Sequence, residues 1–331
     1  MFFLQLMRIL KISIVVISVV ISLVLTLVVC RFLFRENAAV VPGENVLELS
    51  KESSKTKIDQ PKNQMKNETS DDASTDKPAK FYSALETALK KRNLKREDIC
   101  DETDAVQVRI LNDYGAVFLA TDSVRVPPVC MFKTREEVEN FQAGTNIATE
   151  VIDGAEIQLQ AAAMEAYLNA RREAQSKGLN ITPRDGSEAG RRSFEDTVRL
   201  WNSRFEPACA YWLKKGRLTA AQVEKLKSLP VNEQVKEVLE LEKRGIFFNT
   251  FFNKSILYSV AAPGTSQHLS MLALDINEYE NKKVREIMHK HGWFRTVRND
   301  APHFTYLGYE ESELQKLGLK RIDGDFWIPN V

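Results

Sequence analysis

The chain has 331 residues, with 46 Lys+Arg against 45 Asp+Glu, a formal net charge of +1 and 44% hydrophobic residues. This length accommodates about two ordinary domains, and the balanced charge supplies no field that would attract nucleic acid. With 14 Gly, 11 Pro and 4 Cys, the composition also excludes a collagen-like chain, a wholly disordered chain and a disulfide framework.

The first predicted element is an apolar segment at residues 12–30, whose polar members are three serines and one threonine. At about 1.5 Å per helical residue, it spans roughly one hydrocarbon core. A cleaved signal peptide is the alternative, but it usually ends in small residues, whereas Val28 and Val29 stand here. We therefore predict a cytoplasmic tail and one transmembrane signal anchor over residues 1–35. Basic residues flank both ends, so the positive-inside rule leaves the orientation open.

A polar segment follows at residues 36–80. Between residues 41 and 80 it contains no aromatic residue and few aliphatic ones. Such a composition cannot bury enough apolar surface to offset the entropy of ordering the chain. We predict a disordered linker that holds a globular part away from the bilayer.

Globular composition begins next, and we predict a small α+β module over residues 81–150, for which we find no chemistry. Apolar spacing predicts a helix at 82–92, and alternating apolar and polar residues predict a β-like hairpin over 106–120. Cys100 and Cys130 bracket this hairpin. They form either a disulfide or two separate thiols, and the spacing does not decide between these.

Residues 151–331 are the predicted second domain. Apolar periodicity and capping residues predict four helices in it, at 161–174, 193–205, 220–229 and 233–244. Short strands are predicted after them, at 256–260, 272–276 and 303–307, with a terminal hairpin that turns at Asp323 and Gly324. Short strands without regular alternation with helices predict an α+β fold, in which a small antiparallel sheet packs with helices.

Two of the four histidines lie beside predicted strands and near carboxylates. His268 follows a loop, Asp275 lies on the next strand, and His303 begins another strand shortly after Asp300. Two imidazoles and one carboxylate match the ligands that zinc prefers, and they leave a fourth position for water. Zinc lowers the pKa of such a water, and Asp300 is the candidate to take its proton. A hydrogen-bonded structural role for each histidine is the alternative.

The other two histidines suggest a different role. His289 and His291 lie in the last turn of a predicted helix before Gly292. A cation is favoured there by the helix dipole, so we interpret both as helix-capping residues.

The chemistry-bearing segments are APGTSQHLSMLALDI at 262–276 and PHFTYLG at 302–308. They resemble the VanY-type zinc D-alanyl-D-alanine carboxypeptidases, of the D,D-peptidase/Hedgehog-like metallopeptidase superfamily. The resemblance covers roughly residues 155–320 and implies that superfamily's α+β fold. The zinc ligands it implies are His268, Asp275 and His303.

The RSFED stretch at 192–196 resembles an Arg-Ser motif of the same family, whose arginine holds the substrate carboxylate. This implies that Arg192 binds substrate, and its planar guanidinium suits a carboxylate because it can bind both oxygens. A surface charge at a helix start is the alternative for Arg192. Ser266 is a further candidate for hydrogen bonding the substrate, and an ordinary turn residue is its alternative.

Three residues depart from the family's pattern. Asp300 stands where the family has Glu, so the carboxylate loses about 1.5 Å of reach. Related phage L-alanyl-D-glutamate endopeptidases use Asp at that position. Met271 stands where Gly is usual, and Thr197 stands where Gln commonly follows the Arg-Ser motif. We expect the last two changes to alter specificity.

The resemblance implies a zinc metallopeptidase that hydrolyses peptidoglycan stem peptides, and removal of the last D-Ala from a D-Ala-D-Ala end is the first hypothesis. Asp300 motivates a second hypothesis, an endopeptidase that cuts within the stem. A non-catalytic, zinc-containing wall-binding module is the third. With the predicted anchor, the protein would be a single-pass protein of the cell membrane with its catalytic domain outside the cytoplasm.

Overall fold

The computed structural model of the protein describes residues 80–331. The predicted transmembrane anchor at 1–35 and all but the last residue of the predicted linker lie outside the described residues. Within residues 80–331, no helix is both long enough and apolar enough to cross a membrane. This part of the chain has the predicted α+β class, with small antiparallel sheets.

The helices are α1 (Lys80–Lys91), α2 (Arg96–Ile99), α3 (Ala105–Tyr114), α4 (Arg135–Ala143), α5 (Ala161–Ser176), α6 (Phe194–Lys214), α7 (Ala220–Ser228), α8 (Val231–Lys243) and α9 (Lys282–Lys290). The strands are β1 (Ile147–Ile152), β2 (Ala155–Gln160), β3 (Ala273–Asp275), β4 (Trp293–Phe294), β5 (His303–Tyr306), β6 (Leu319–Ile322) and β7 (Phe326–Pro329). β1 pairs with β2, β5 lies between β3 and β4, and β6 pairs with β7 in the predicted terminal hairpin.

The predicted β-like hairpin over 106–120 is wrong, because this segment is α3 followed by a 3₁₀ helix at Gly115–Leu119. Asp104 begins α3, since its side chain accepts a hydrogen bond from the amide of Val106. Ile110 and Tyr114, four residues apart, are both buried, as on one face of a helix. The apolar alternation was too short to distinguish the two structures, and the helix-capping Asp decides for the helix.

The strand predicted at 256–260 is also wrong, because a 3₁₀ helix occupies Ile256–Tyr258. Ser255 caps it by accepting a hydrogen bond from the amide of Leu257. Ile256 and Leu257 are consecutive and both buried. Successive side chains of a strand point to opposite faces, so a half-buried strand does not bury two neighbours in this way.

One hydrophobic core runs through the described residues on both sides of the predicted domain boundary. It includes Phe81 and Tyr114 before the boundary, and Trp201 and Trp293 after it. The boundary predicted between residues 150 and 151 falls within β1. Residues 80–331 therefore share a core across that position.

Cys100 and Cys130 form a disulfide, which answers the question that their spacing left open. The bond joins the end of α2 to the segment before α4, where the amide of Cys130 also donates a 2.7 Å hydrogen bond to the carbonyl of Ile99. Cys209 is a buried free thiol on α6, and burial raises its pKa to about 12.

The three-stranded sheet positions the candidate site. In the antiparallel pair β3 and β5, Asp275 lies opposite His303, and Ala273 lies opposite Thr305. Directly opposed residues on neighbouring strands place their side chains on the same face, about 4.5–5.5 Å apart at Cβ. The register of this sheet therefore brings a carboxylate beside an imidazole.

Candidate metal centre

Three buried side chains converge at one end of the three-stranded sheet. His268 lies in a 3₁₀ helix at Gln267–Ser270, Asp275 ends β3, and His303 begins β5. One ligand atom from each can be chosen so that all lie within 4.8 Å of one another. The structure thus brings together the three residues that the sequence nominated as metal ligands.

The distances within this group are short. Nε2 of His268 lies 3.1 Å from Nδ1 of His303 and 3.3 Å from Oδ2 of Asp275. Nδ1 of His303 lies 3.3 Å from Oδ1 of Asp275, which is buried and accepts no hydrogen bond from residues 80–331. A buried carboxylate oxygen without a donor carries a large desolvation penalty, which a cation at this point would remove.

The outer nitrogen of each imidazole has a partner that accepts its proton. Nδ1 of His268 lies 2.8 Å from the carbonyl oxygen of Gly190, which can only accept. Nε2 of His303 lies 2.9 Å from Oε1 of Gln267. The amide of Gln267 is held in this orientation because its Nε2 donates a 2.8 Å hydrogen bond to the carbonyl of Tyr114.

These partners fix the protonation of both rings. In the neutral form of each ring these acceptors place the proton on the outer nitrogen, so that Nε2 of His268 and Nδ1 of His303 present lone pairs to the centre. Burial lowers the pKa of His268 to about 4, so this ring is neutral at pH 7. Two lone pairs and one carboxylate that face each other without a proton repel one another. The donor set and its outer hydrogen bonds therefore fit a divalent metal ion.

Arg192 lies in the same cleft, but it binds a member of the metal group. The capping box of α6, formed by Ser193 and Asp196, fixes the backbone just after Arg192. Nη2 of Arg192 then donates to Oδ2 of Asp275 at 2.6 Å, and its Nε donates to the carbonyl of Glu188 at 3.1 Å. Arg192 therefore orients the candidate ligand Asp275, and its Nη1 has no hydrogen-bond partner within the described part of the chain.

Asp300 and Ser266 line the cleft, which has a volume of about 260 Å³. Asn299, at a φ of 68°, makes the tight turn that precedes Asp300. The Asp300 residue is exposed to solvent. Even so, the surrounding protein displaces water around its carboxyl and raises its pKa, while the charges of His303 and Arg192 act in the opposite direction. A carboxylate with a raised pKa is suited to accept and return a proton near neutral pH.

Sequence reasoning missed two residues that build this site from the first predicted module. Gln142, on α4, donates hydrogen bonds to the carbonyls of Arg192 (2.9 Å) and Leu269 (3.0 Å). It therefore connects the Arg-Ser motif to the 3₁₀ helix that carries His268. Tyr114, on α3, accepts the hydrogen bond from Gln267. The sequence did carry an indication that Gln142 is buried, because it lies beside Phe141 on a mostly apolar helix face.

The departures at Met271 and Thr197 have structural explanations. Met271 is buried with a φ of 57°, a conformation that favours glycine, and it ends the 3₁₀ helix that carries His268. The hydroxyl of Thr197 donates to the carbonyl of Phe194 (2.6 Å) and accepts a hydrogen bond from the amide of Gly264 (3.2 Å). Thr197 therefore connects α6 to the loop before His268.

His289 and His291 lie outside the cleft. Nε2 of His291 is 2.9 Å from Oε2 of Glu173, on α5, and Nδ1 of the buried His289 is 3.4 Å from Oε1 of Glu311. Both rings contact a carboxylate of another element. Both residues lie at the end of α9, and their side chains also connect this helix to other elements.

No protein-family model matches the sequence, and no curated protein matches it. Two solved structures are similar to it: a point mutant of the vancomycin-resistance D,D-pentapeptidase VanY from a VanB-type cassette, in complex with Zn(II), and VanYB in complex with D-alanine-D-alanine. Each has a TM-score of 0.30 and 19% identity and covers 50% of this chain. The matches cover 82% and 80% of the VanY chains respectively. A likeness of this size does not by itself assign an activity.

Proposed function

We propose that this protein is a zinc-dependent peptidase that hydrolyses peptidoglycan stem peptides, with D-alanyl-D-alanine carboxypeptidase as its first candidate activity. The observation that carries the proposal is the buried group of His268, Asp275 and His303, whose outer hydrogen bonds select the tautomers in which the inner ring nitrogens carry lone pairs. The substrate class follows from the resemblance of the histidine motifs to the VanY-type carboxypeptidases.

Zinc is the proposed ion because two imidazole nitrogens and a carboxylate oxygen are its usual ligands at catalytic sites, where one position stays open. A bound zinc ion supplies a Lewis acid that polarises the scissile carbonyl and lowers the pKa of water. Gly190 and Gln267 hold the two imidazoles in the required tautomers. Arg192 donates to Oδ2 of Asp275, the oxygen that also lies 3.3 Å from Nε2 of His268.

Asp300 is the proposed general base and acid. Its carboxylate accepts a proton from the attacking water and returns that proton to the leaving amine nitrogen. The shorter side chain, compared with Glu, requires a closer backbone, and the tight turn at Asn299 places Asp300 at the cleft. In the carboxypeptidase proposal Arg192 binds the terminal carboxylate through Nη1, and Ser266 donates its hydroxyl to the substrate.

Endopeptidase cleavage within the stem is the second candidate, and one observation favours it. A depression of about 270 Å³ adjoins the cleft, and both are lined by Tyr114, Leu257, Tyr258, Val297 and Arg298. A second depression beside the cleft offers additional surface for a peptide that extends beyond the bond to be cut. Blocking the C-terminal carboxylate of the substrate leaves endopeptidase cleavage intact and abolishes carboxypeptidase cleavage.

The proposed location is the cell membrane, with the peptidase outside the cytoplasm. The apolar segment at residues 12–30 supports an anchor by its length. The disulfide between Cys100 and Cys130 supports an oxidising compartment. Peptidoglycan lies in that compartment as well.

The test is incubation of the full-length protein, in detergent micelles, with purified muropeptides, with zinc and with a chelator. We expect a chelator-sensitive loss of one alanine, read by mass spectrometry. His303→Ala should lose both bound zinc and cleavage, whereas His291→Ala, the same change outside the cleft, should keep both. Bound zinc with peptide affinity but no cleavage would instead identify a wall-binding module, and full activity of His303→Ala would refute the ligand assignment.

A further inference from the structure

One face of α6 forms a wall of the cleft. Thr197, Leu200 and Arg204 line the cleft at a spacing of three and four residues, which places them on the same side of the helix. Nε of Arg204 is buried and has no hydrogen-bond partner within residues 80–331. The hydrogen bond that its guanidinium makes is from Nη1 to the hydroxyl of its neighbour Ser203, at 3.0 Å.

Two other arginines that line the cleft differ from Arg204. Arg192 binds Asp275, and Arg184 lies 3.7 Å from Asp185 with its guanidinium over the ring of Tyr279. Arg204 forms no ion pair with any carboxylate of the described chain. Its positive charge in the cleft is therefore available to pair with an anion that a ligand supplies.

Arg298 also lines the cleft. It is exposed, lies two residues before Asp300, and lines the adjoining depression as well. It too forms no ion pair within the described residues. The cleft is therefore lined by two arginines that have no ion-pair partner among residues 80–331.

We propose that Arg204 and Arg298 form an anion subsite that binds a free carboxylate of the substrate, separate from the carbonyl to be cleaved. The proposal rests on the peptidase function proposed above and specifies its substrate class as acidic peptides. Thr197 contacts Gly264 in the loop before His268. Arg204 lies seven residues beyond Thr197 on α6, which is about 10 Å along the helix. About three residues of an extended peptide span that distance. A planar carboxylate accepts two hydrogen bonds from one guanidinium, which gives the subsite its preference for an acidic group.

The carboxylate has two possible sources: the C-terminus of the peptide or an acidic side chain within it. Two pairs of synthetic stem peptides separate them. In one pair the C-terminal carboxylate is replaced by a carboxamide, and in the other the carboxylate of the internal glutamate is replaced in the same way. The source is the carboxylate of the pair on which Arg204→Gln removes the discrimination that wild type shows, since Arg192 can also discriminate on the C-terminal pair.

The test compares Arg204→Gln with wild type on both pairs, and Arg199→Gln is the matched control. Arg199 lies on the same helix but outside the cleft lining, where it pairs with Glu188 and Asp196. We expect Arg204→Gln to lower kcat/KM on the carboxylate peptide by about 10- to 100-fold, the range for hydrogen bonds to charged groups, and to remove the preference for carboxylate over carboxamide. Arg298→Gln, an exposed change, should reduce the same preference, and Arg199→Gln should leave it unchanged.

Equal losses on both members of each pair would overturn the subsite, because Arg204 would then act only on the fold. If the wild-type protein cleaves none of the peptides, the proposed peptidase function is refuted, and the subsite is tested by binding. Binding of the same fluorescent peptides, followed by anisotropy, then tests the subsite alone. A wild-type preference for the carboxylate that Arg204→Gln removes supports the subsite, and equal binding of acid and amide refutes it.

Discussion

The orientation of the His303 ring depends on Gln267, and Gln267→Leu tests this dependence. Leu has a similar size but no polar atoms. In the substituted protein Nε2–H of His303 loses its acceptor and the carbonyl of Tyr114 loses its donor, both in a buried place. The hydroxyl of Thr305, which also donates to Gln267, keeps a partner in Thr296 at 2.6 Å.

The expected effect has two parts. Two buried groups without partners destabilise the fold by about 2–6 kcal/mol, at about 1–3 kcal/mol each. Native domains have about 5–15 kcal/mol of stability, so the variant should still fold. Loss of the outer hydrogen bond to a metal-binding histidine weakens metal affinity by about 10- to 100-fold. The second effect is specific to the metal group, because Gln267 positions His303.

Zinc affinity is measured by competition with a chromophoric chelator, and stability by urea unfolding of the metal-free protein. Gln234→Leu is the matched control, since Gln234 is a buried glutamine that accepts from Trp201 and donates to the carbonyl of Leu226 outside the cleft lining. We expect both variants to lose stability and only Gln267→Leu to lose zinc affinity. Equal zinc affinity in the two variants would refute the proposed role of Gln267.

Three further changes have defined outcomes. Asp300→Asn should retain zinc and lower kcat by about 10²- to 10⁴-fold, since it removes only the proton acceptor; unchanged kcat would exclude Asp300 as the base. Met271→Gly relieves a left-handed conformation but removes a buried side chain, so urea unfolding should show a net destabilisation of about 1–3 kcal/mol. Hydrogen bonds from Lys177 and Lys290 lower the pKa of Glu173 from 4.5 to about 2. These contacts therefore stabilise the fold above about pH 4.5 and lose their effect as the pH falls toward 2; the urea midpoint of Glu173→Gln should fall less over that range, and an identical acid profile would contradict this.

Local signals in the sequence predicted the elements whose patterns are long or well capped. The helices predicted at 161–174 and 220–229 and the terminal hairpin with its turn at Gly324 are all present in the structure. The segments at 106–120 and 256–260 were predicted as strands and are helical. In both, a short apolar run is compatible with either structure, and a capping side chain, Asp104 or Ser255, favours the helix.

The three candidate ligands were found from the sequence because their chemistry is local to two short motifs. Their hydrogen-bond partners were not found, because those contacts are long-range. Gly190 accepts from a histidine 78 residues later, and the carbonyl of Tyr114 orients a glutamine 153 residues later. Spacing carries no information about such pairs. The sequence also could not show that Arg192 binds Asp275, since that depends on how α6 packs against the sheet.

The dependence of the site on Tyr114 and Gln142 changes the interpretation of residues 81–150. This stretch was predicted as a module without chemistry, yet the backbone carbonyl of Tyr114 holds the glutamine behind His303, and the side chain of Gln142 holds the backbone at Arg192. The two imidazoles and the carboxylate converge closely, so the surrounding structure must hold each of them in place. Here the residues that hold them come from both sides of β1, and one hydrophobic cluster includes residues from both sides. The residues before β1 are therefore part of the candidate site.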